Sequence, residues 1–293
     1  MNRLDALENE TMFILREAAA LVNPLGMLWS IGKDSTALLH IARKAFFGAL
    51  PFPLIHVDTS FKIPEMILFR DRVVREWGCE LLVIRNEKAL ATRETYPAGA
   101  CDRIRCCVLL KTTPLRLAVT GRTQARRLNL QSGKYESARD LDPFGGLILG
   151  IRGDEEGTRS KERIFSIRAA DGSWDISQQN LEPWGYFQSH VPSGGHVRVH
   201  PLLNWTELDI WEYLERERIE VVPLYFDQGN GTRYRSLGCA PCTQPIQSTA
   251  SSVAEIVAEL RDGALSRLSE RAGRSQDSED GGGLETLRRQ GYM

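Results

Sequence analysis

The chain has 293 residues, of which 42% are hydrophobic and 26% charged, a composition typical of one large α/β domain, with or without a small appendage. The formal net charge of −1 disfavours a protein that coats nucleic acid through bulk positive charge, although a local basic stripe is still compatible with nucleic-acid binding. No run approaches the ~18 apolar residues of a membrane helix, and the N-terminus lacks the pattern of a signal peptide. We expect a cytoplasmic protein with no membrane partner, in which the six cysteines are thiols or ligands.

Apolar bursts alternate with helix-period segments along the first half of the chain. An acidic amphipathic helix is predicted at the N-terminus, and Pro64 stands where proline is tolerated, at the start of a helix. In chain order, the predicted elements are a helix over 1–22, a strand over 26–30, a helix over 36–47, a strand over 53–58, a helix over 65–77, and strands over 80–84 and 146–151.

This order predicts an α/β fold with a doubly wound parallel sheet, whose ligand site lies outside the carboxyl ends of the strands. The fully apolar segment 146–151 is expected to be a central strand. Residues 30–35, Asp58 and Arg152 then share one rim of the sheet. We expect this domain to span 1–215 and a helical or irregular C-terminal extension to span 216–293.

The stretch WSIGKDSTALLH places a turn between the first predicted strand and the next helix. Such a turn presents backbone N–H groups and the positive end of the helix dipole, which together bind phosphate. Gly32 lets the backbone approach the anion, Lys33 supplies a point charge, and Ser30, Ser35 and Thr36 offer hydroxyl groups. The spacing is not that of a Walker motif, which disfavours a GTPase-like or kinase function. The alternative is a tight strand-to-helix connection with no ligand.

Several ordered motifs resemble the N-type ATP pyrophosphatases and, within them, the small catalytic subunit of bacterial sulfate adenylyltransferase. The resemblance implies an adenine nucleotide alpha hydrolase-like fold and covers about two thirds of the chain at both ends. The matching segments are SIGKDS (30–35), ARKAF (42–46), LPFPLIHVDTSFK (50–62), FRDR (69–72), GCELLV (78–83), RGDEEGTRSKERIFSIR (152–168), NWTELDIWEYL (204–214), VPLYF (222–226), SERAGR (269–274) and RRQGYM (288–293).

The resemblance implies that ATP is split between its α and β phosphates, with an oxyanion attacking the α phosphorus and pyrophosphate leaving. Lys33 and the surrounding loop would hold the β and γ phosphates, bridged by Mg²⁺. Asp34 and Asp58 are candidates for positions near the metal or the adenosine. Charge neutralisation on pyrophosphate and in-line positioning of the acceptor are the physical requirements of this chemistry.

The loop after the fourth apolar strand is rich in charge. By the same resemblance, it would line the place where an anionic acceptor meets the α phosphate, through Arg152 together with Arg159, Lys161 and Arg163. The alternative is a solvated, salt-bridged loop, which is the usual role of mixed charge. The position directly after the strand favours the functional interpretation.

A second buried helix is predicted after His200. Thr206 is expected to cap its N-terminus, with Glu207 and Asp209 in the first turn and an apolar stripe of Trp205, Ile210, Trp211 and Leu214. Packing explains these residues, and direct catalysis by His200 is not expected.

The cysteines depart from the sulfate adenylyltransferase pattern. Cys106 and Cys107 are adjacent, and Cys239 and Cys242 form a CxxC far downstream, as in the 4Fe-4S ligand pattern of the assimilatory adenylyl-sulfate reductases. Four thiolates from two segments can bind a cluster or a zinc ion, and adjacent cysteines favour the cluster. The alternative is buried cysteine without a metal.

The other two cysteines are assigned lesser roles. Cys79 is expected in the core, and Cys101 is a candidate spare ligand or redox thiol. The reductases also need a nucleophilic cysteine near the C-terminus, and no cysteine follows Cys242. A self-contained reductase is therefore disfavoured. Residues 266–283 are polar and glycine-rich, which predicts a mobile loop before a short terminal helix.

Three functions remain at this point. The favoured one is an iron–sulfur ATP pyrophosphatase that adenylates a substrate oxygen for sulfur transfer, as in DNA phosphorothioation, with a cysteine desulfurase or other sulfur donor as partner and a possible nucleic-acid substrate. The alternative is a sulfate adenylyltransferase subunit that works with a GTPase large subunit. The third is a reductase-like or non-enzymatic scaffold protein. A homo-oligomer is compatible with each.

Overall fold

A computed structural model describes residues 2–122, 125–138, 141–170, 172–174, 176–188, 191, 193–263, 265, 268–271, 273–274 and 287. The α-helices of these residues are α1 (Arg3–Leu21), α2 (Lys33–Ala45), α3 (Pro64–Trp77), α4 (Glu87–Ala91), α5 (Arg103–Cys107), α6 (Thr113–Val119), α7 (Glu207–Glu217) and α8 (Val253–Arg261). A π-helical turn (Val108–Thr112) joins α5 to α6.

The strands of the described residues form one large sheet and one short hairpin. The sheet strands are β1 (Leu25–Leu28), β2 (Leu54–Val57), β3 (Leu81–Ile84), β4 (Ala125–Leu128), β5 (Tyr135–Ala138), β6 (Gly146–Ile148), β7 (Phe165–Arg168) and β8 (His196–Val199), in the order β5-β4-β3-β2-β1-β6-β8-β7. The hairpin pairs β9 (Thr232–Arg233) with β10 (Ile246–Gln247).

The centre of the sheet is parallel and its two margins are antiparallel. Strand β1 pairs in parallel with β2 and β6, and the parallel pairing continues to β3 on one side and β8 on the other. Strands β4, β5 and β7 are added antiparallel. Parallel strands need crossover connections, which α2 and α3 supply between β1, β2 and β3.

Hydrophobic layers cover both faces of the sheet. One layer packs α1, α2, α3, α7 and α8 on one face, and the smaller layer packs α6 on the other through Leu115, Ala118 and Val119. Burial of strands on both faces is expected of a parallel sheet. The central strands therefore have fixed carboxyl ends, at which polar side chains can be positioned.

The α/β fold and the mostly parallel sheet predicted from the sequence are confirmed, and β6 is central as expected. Helix α2 begins at Lys33, three residues before the predicted start, so the polar loop residues form its first turn. The predicted boundary at residue 215 falls within α7, and the division into two domains stays a prediction. The predicted mobile loop lies largely outside the described residues. Within the described residues, no helix has both the length and the apolarity needed to cross a membrane.

Candidate functional site

The turn between β1 and α2 has a constrained backbone geometry. Gly32 is the N-cap of α2 at φ −72°, and the residue in the left-handed region is Ile31, at φ 70°. A β-branched residue there is strained, and such strain is retained where the surrounding structure enforces it. A Cβ on Gly32 would lie 3.3 Å from the Ser30 hydroxyl and 3.5 Å from the Tyr225 hydroxyl. Glycine therefore keeps the turn close to polar groups, as the sequence predicts.

The first turn of α2 carries a buried network of opposite charges. Lys33 is 1% exposed, and its ammonium donates to the carboxylates of Asp34, at 3.2 Å, and Glu270. Arg152, fully buried, binds the other oxygens of the same two carboxylates and also donates to Asp154 at 2.9 Å. Two cations and two carboxylates thus converge on the N-terminus of a helix. This is the arrangement that a polyphosphate chain with its counterion would need.

Burial and ion pairing have opposite effects on the pKa values of the groups in this network. Burial lowers the pKa of Lys33, but Asp34 and Glu270 outweigh it and hold that pKa above its ordinary value. Burial raises the pKa of Glu270 to about 7, against the opposing effect of Lys33 and Arg152. Lys33 is therefore a permanent cation, whereas Glu270 changes charge near neutral pH.

A cavity of about 200 Å³ opens in front of this turn, at the carboxyl ends of β1, β2 and β6. Its wall includes apolar side chains from those strand ends, among them Ile55, Val57 and Ile151, together with the polar loop. Pockets that bind small ligands combine an apolar wall with a few convergent polar groups. Ser30, Gly32, Lys33, Asp34, Ser35 and Arg159, all predicted as ligand-binding residues, line the cavity.

A second group of cations lines the same cavity. Lys62, Lys111 and Arg274 all contribute to the wall. Burial, aided by the like charges of Lys111 and Arg274, lowers the pKa of Lys62 to about 8, although Cys239 and Asp58 oppose that shift. Mutual repulsion of this kind is relieved by an anion. The cavity therefore has two cationic regions, one at the helix N-terminus and one around Lys62.

Some predicted site residues are found elsewhere. Thr36 is buried with its hydroxyl accepting from the Trp29 indole at 3.2 Å, so it packs beneath the loop. Asp58 accepts from the backbone N–H of Ser60 at 2.7 Å and is not among the lining residues.

The charged loop after β6 contributes less than predicted. Arg163 donates to the carbonyl of Asn180 at 3.0 Å, outside the cavity wall. Lys161 is also not among the lining residues. Arg159 lines the cavity and pairs with Glu155, which in turn pairs with Arg271 at 3.0 Å. Only part of the loop therefore faces the ligand space.

Three residues of the site were not predicted from the sequence. Glu270 completes the charge network, and Arg271 lines the cavity beside it. The Tyr225 hydroxyl accepts the backbone N–H of Lys33 at 2.9 Å. Their segments, SERAGR and VPLYF, were part of the resemblance without an assigned role. The available signal for Glu270 was its charge within a motif of the resemblance.

The four predicted metal-ligating cysteines come together in the structure. Cys106, Cys107, Cys239 and Cys242 line one small cavity beside Thr59 and Lys111, which also line the nucleotide cavity. The turn of Cys239 is tied to the segment after β2, because the N–H of Ala240 donates to the Phe61 carbonyl at 2.7 Å. Two distant stretches of chain thus meet at the edge of the proposed nucleotide site.

The environments of these thiols differ. Burial raises the pKa of Cys106 to about 11, and the neighbouring thiols Cys107, Cys101 and Cys239 add to that rise. Burial also acts on Cys239, but Lys111 and Lys62 outweigh it and lower the pKa of Cys239. Cys79 is 4% exposed in the hydrophobic core, as expected. No three His, Cys, Asp or Glu side chains in the described part of the chain are arranged to hold a single metal ion.

Helix α7 is structural, as the sequence predicts. Thr206 and Asp209 form a capping box, and Trp205, Ile210, Trp211 and Leu214 are buried. His200 is fully buried and bound through its ring to the Arg163 carbonyl at 2.7 Å. His200 is not among the described residues that line the cavity in front of α2.

Comparison with known proteins defines the class. Residues 24–245 match the sequence profile of the phosphoadenosine phosphosulfate reductase domain, and the chain belongs to that family. It is an enzyme of the ATP pyrophosphatase and adenylyltransferase class.

Three similar proteins illustrate the match. Sulfate adenylyltransferase subunit 2 from Rhizobium tropici is 39% identical over 99% of this chain and 93% of its own length. The protein of the same name from Rhodospirillum rubrum is 40% identical over 100% of both chains. The crystal structure of phosphoadenylyl-sulfate reductase from Candida auris covers 84% of this chain and 98% of its own with a TM-score of 0.51, and at 15% identity it supports the fold alone.

These relatives correct the favoured function. The prediction of a sulfur-transfer enzyme of the DNA phosphorothioation type is wrong, because relatives matched over nearly the whole chain are named sulfate adenylyltransferase subunit 2. The same finding gives no support to a cysteine desulfurase partner or a nucleic-acid substrate. The cysteine pattern, taken from more distant families, misled the choice between the two functions.

Proposed function

We propose that the chain is the catalytic subunit of a sulfate adenylyltransferase, which forms adenylyl sulfate and pyrophosphate from ATP and sulfate. The observation that carries the proposal is the buried ion-pair network of Lys33 and Arg152 with two carboxylates at the N-terminus of α2. Lys33, Asp34 and Glu270 line the cavity at the carboxyl ends of the parallel strands, and Arg152 binds the two carboxylates without being one of the lining residues. Relatives that carry this name match the chain over nearly its full length.

In the proposed reaction, a sulfate oxygen attacks the α phosphorus as the bond to the α–β bridging oxygen breaks. The electron pair of that bond leaves with pyrophosphate, so charge develops on the departing group. Lys33, Arg152 and the N-terminus of α2 stabilise that charge, and stabilisation aimed at developing charge is the main source of rate in phosphoryl chemistry. The apolar wall from β1, β2 and β6 holds the adenosine.

The acceptor belongs on the other side of the α phosphorus, in line with the leaving group. The second cationic group, Lys62, Lys111 and Arg274, lies in the same cavity and supplies charge for a sulfate dianion. The two cationic regions suit the two anions that the reaction keeps apart. This replaces the sequence-based assignment of the acceptor to Arg152, Arg159, Lys161 and Arg163.

The side chains present fit the Mg²⁺ that ATP carries. Magnesium prefers carboxylate and phosphate oxygens, and Asp34 places a carboxylate in the cavity wall beside Lys33. Bound Mg²⁺ neutralises charge on the β and γ phosphates. Asp34 would hold it, and Lys33 and Arg152 would then turn from Asp34 to phosphate oxygens.

The test is release of pyrophosphate from ATP by the purified chain with its partner subunit. We expect release to require sulfate and to be lost in Arg152→Ala. Release that is equal without sulfate, or that appears only with DNA, contradicts the proposal. A variant at Lys161, Lys161→Ala, serves as the control, because that side chain is exposed whereas Arg152 is fully buried in the charge network.

We also propose that the four clustered cysteines hold a 4Fe-4S cluster. The fit rests on the donor set, since all four thiols line one cavity and none is in a disulfide.

The cluster proposal is tested on anaerobically purified protein. We expect brown protein with about four irons and four sulfides per chain, and loss of iron in Cys107→Ser and Cys242→Ser. Cys79→Ser is the matched control and should keep its iron, because Cys79 lies in the core. Colourless protein with one zinc per chain, or with no metal, contradicts the cluster.

A further inference from the structure

A second cavity lies on the opposite side of α6 from the nucleotide cavity. It has a volume of about 260 Å³ and is enclosed by α6, the turn that follows it, the segment after β7, and strand β8. Lys111 and Leu115 of the helical stretch face the nucleotide cavity, whereas Thr113, Arg116 and Leu117 line this one. One helical stretch therefore separates the two cavities.

The polar lining of this second cavity is basic. Arg116 and Arg122 contribute from the α6 side, and His196 and Arg198 contribute from β8. No carboxylate is present among its lining residues as the structure describes them. Basic side chains therefore outnumber acidic ones among the described residues of this wall.

His196 is a buried polar group that faces this space. Its side chain belongs to a residue that is 2% exposed, and among the described atoms Nε2 has no hydrogen-bond partner. Burial, followed by the charges of Arg198 and Arg168, lowers the pKa of His196 to about 3, so the ring is neutral and keeps one N–H. A buried polar atom without a partner is costly and points to a missing ligand or water.

Gly172 borders the cavity where the backbone comes close to basic side chains. Gly172 has φ +82°, and a Cβ there would lie 3.4 Å from Cγ of Arg116 and 3.9 Å from Cε1 of His196. The backbone after β7 therefore lies directly over two of the basic residues. Arg116 and His196, from opposite walls, are held close to the same space.

We propose that this cavity is a binding site for a small tetrahedral oxyanion, either sulfate or phosphate. Guanidinium groups bind such dianions through paired N–H donors. Among the described lining residues, the imidazole is the only aromatic ring on which a base could stack. The proposed anion site does not depend on the proposed adenylyltransferase reaction, so either proposal can be wrong while the other holds.

The test is calorimetric titration of the full chain with sodium sulfate and, separately, with sodium phosphate, at an ionic strength held constant with sodium chloride. Arg116→Ala removes a charged donor from a surface position and is expected to weaken binding at this site about tenfold or more. Arg127→Ala, an exposed arginine of β4 outside the cavity wall, is the matched control and should bind as the parent does. Lys33→Ala should keep the site, because its effect is confined to the nucleotide cavity.

A second measurement uses only the parent protein and so does not depend on the folding of a variant. We expect the His196 ring resonances of the parent protein to shift on saturation with the anion, while those of the other four histidines move less. Tighter binding of sulfate identifies free sulfate as the ligand, and tighter binding of phosphate identifies a phosphate group. Unmoved His196 resonances, equal binding by Arg116→Ala and Arg127→Ala, or no binding of either anion overturns the proposal.

Discussion

Lys33 is the residue on which the proposed reaction depends most. Its ammonium is buried against two carboxylates. The next arginine or lysine of α2 is Arg43, in the last turn of the helix. We predict that Lys33→Ala weakens Mg·ATP binding at least tenfold, the loss expected for a charge-assisted hydrogen bond worth ~1.5–3 kcal/mol. Calorimetry measures the affinity, and circular dichroism checks that the variant is folded.

A matched control for Lys33 is available on the surface. Lys88→Ala, in the short helix α4, removes an exposed lysine and should leave ATP binding unchanged. Equal ATP affinity in Lys33→Ala and the parent would show that the turn is only a strand-to-helix connection. That was the alternative left open by the sequence.

Glu270 is predicted to compete with ATP for the same two cations. The pKa of Glu270 is raised to about 7 by burial, so the carboxylate is charged above that pH and neutral below it. We predict that Glu270→Gln binds ATP about tenfold more tightly than the parent at about pH 8, since one charged contact no longer opposes the phosphates. The difference should shrink towards pH 6, because the parent carboxyl then becomes protonated.

The pH dependence separates competition from positioning. Titration of ATP itself affects both proteins equally and cancels in the ratio of their dissociation constants. Weaker binding by Glu270→Gln at every pH would mean that Glu270 orients Lys33 and Arg152 for the substrate. A ratio that does not change with pH would contradict a carboxyl that titrates near neutrality.

At the level of elements, Gly150 sets the distance between β6 and α2. A Cβ on Gly150 would lie 3.0 Å from Cα and 3.1 Å from the backbone nitrogen of Ser35, and backbone atoms at that distance cannot move away cheaply. We predict that Gly150→Ala displaces the first turn of α2, with a strain of ~1–3 kcal/mol. Both the melting temperature and the ATP affinity should fall.

Gly157 is the matched control for Gly150. It is exposed in the same loop region, nothing lies within 4 Å of its would-be Cβ, and its backbone is not left-handed. Gly157→Ala should therefore leave both the melting temperature and the ATP affinity unchanged. Equal effects of the two substitutions would show that close packing of β6 on α2 does not shape the site.

The predictable elements were those with strong local patterns. Strands β1, β2, β3 and β6 are continuous apolar runs, and helices α2 and α3 have clear apolar faces. Strands β4 and β5 were missed because they are largely polar, with exposed Arg126, Arg127 and Glu136. Their place in the sheet comes from pairing with β3, which no local pattern encodes.

The sequence predicted the part of the site whose residues lie in one turn or directly after one strand. Lys33, Asp34 and Ser35 lie in one turn, and Arg152 follows one strand, so their grouping followed from the topology. Glu270 joins them from a segment more than two hundred residues later, and only tertiary packing brings it there. Arg163 was misplaced for the same reason, because its side chain turns to Asn180 instead of the cavity.

At the level of the whole molecule, the chain is expected to act with a second subunit. Its relatives are named as subunit 2 of their enzyme, and the motif resemblance implies a GTPase large subunit as the partner. We predict that addition of that subunit with GTP raises the rate of sulfate-dependent pyrophosphate release by this chain. The forward reaction forms an energy-rich mixed anhydride, so a rate unchanged by the partner would count against this assembly.

The reverse reaction tests the central claim most directly, because it runs downhill and needs no energy from a partner. Purified chain is mixed with adenylyl sulfate, pyrophosphate and Mg²⁺, and the ATP formed is measured. The account predicts that the parent protein makes ATP and sulfate, that Arg152→Ala does not, and that Lys161→Ala behaves as the parent. Absence of ATP from the parent reaction, or equal formation by Arg152→Ala, would contradict the assignment of this cavity as a sulfate-adenylylating site.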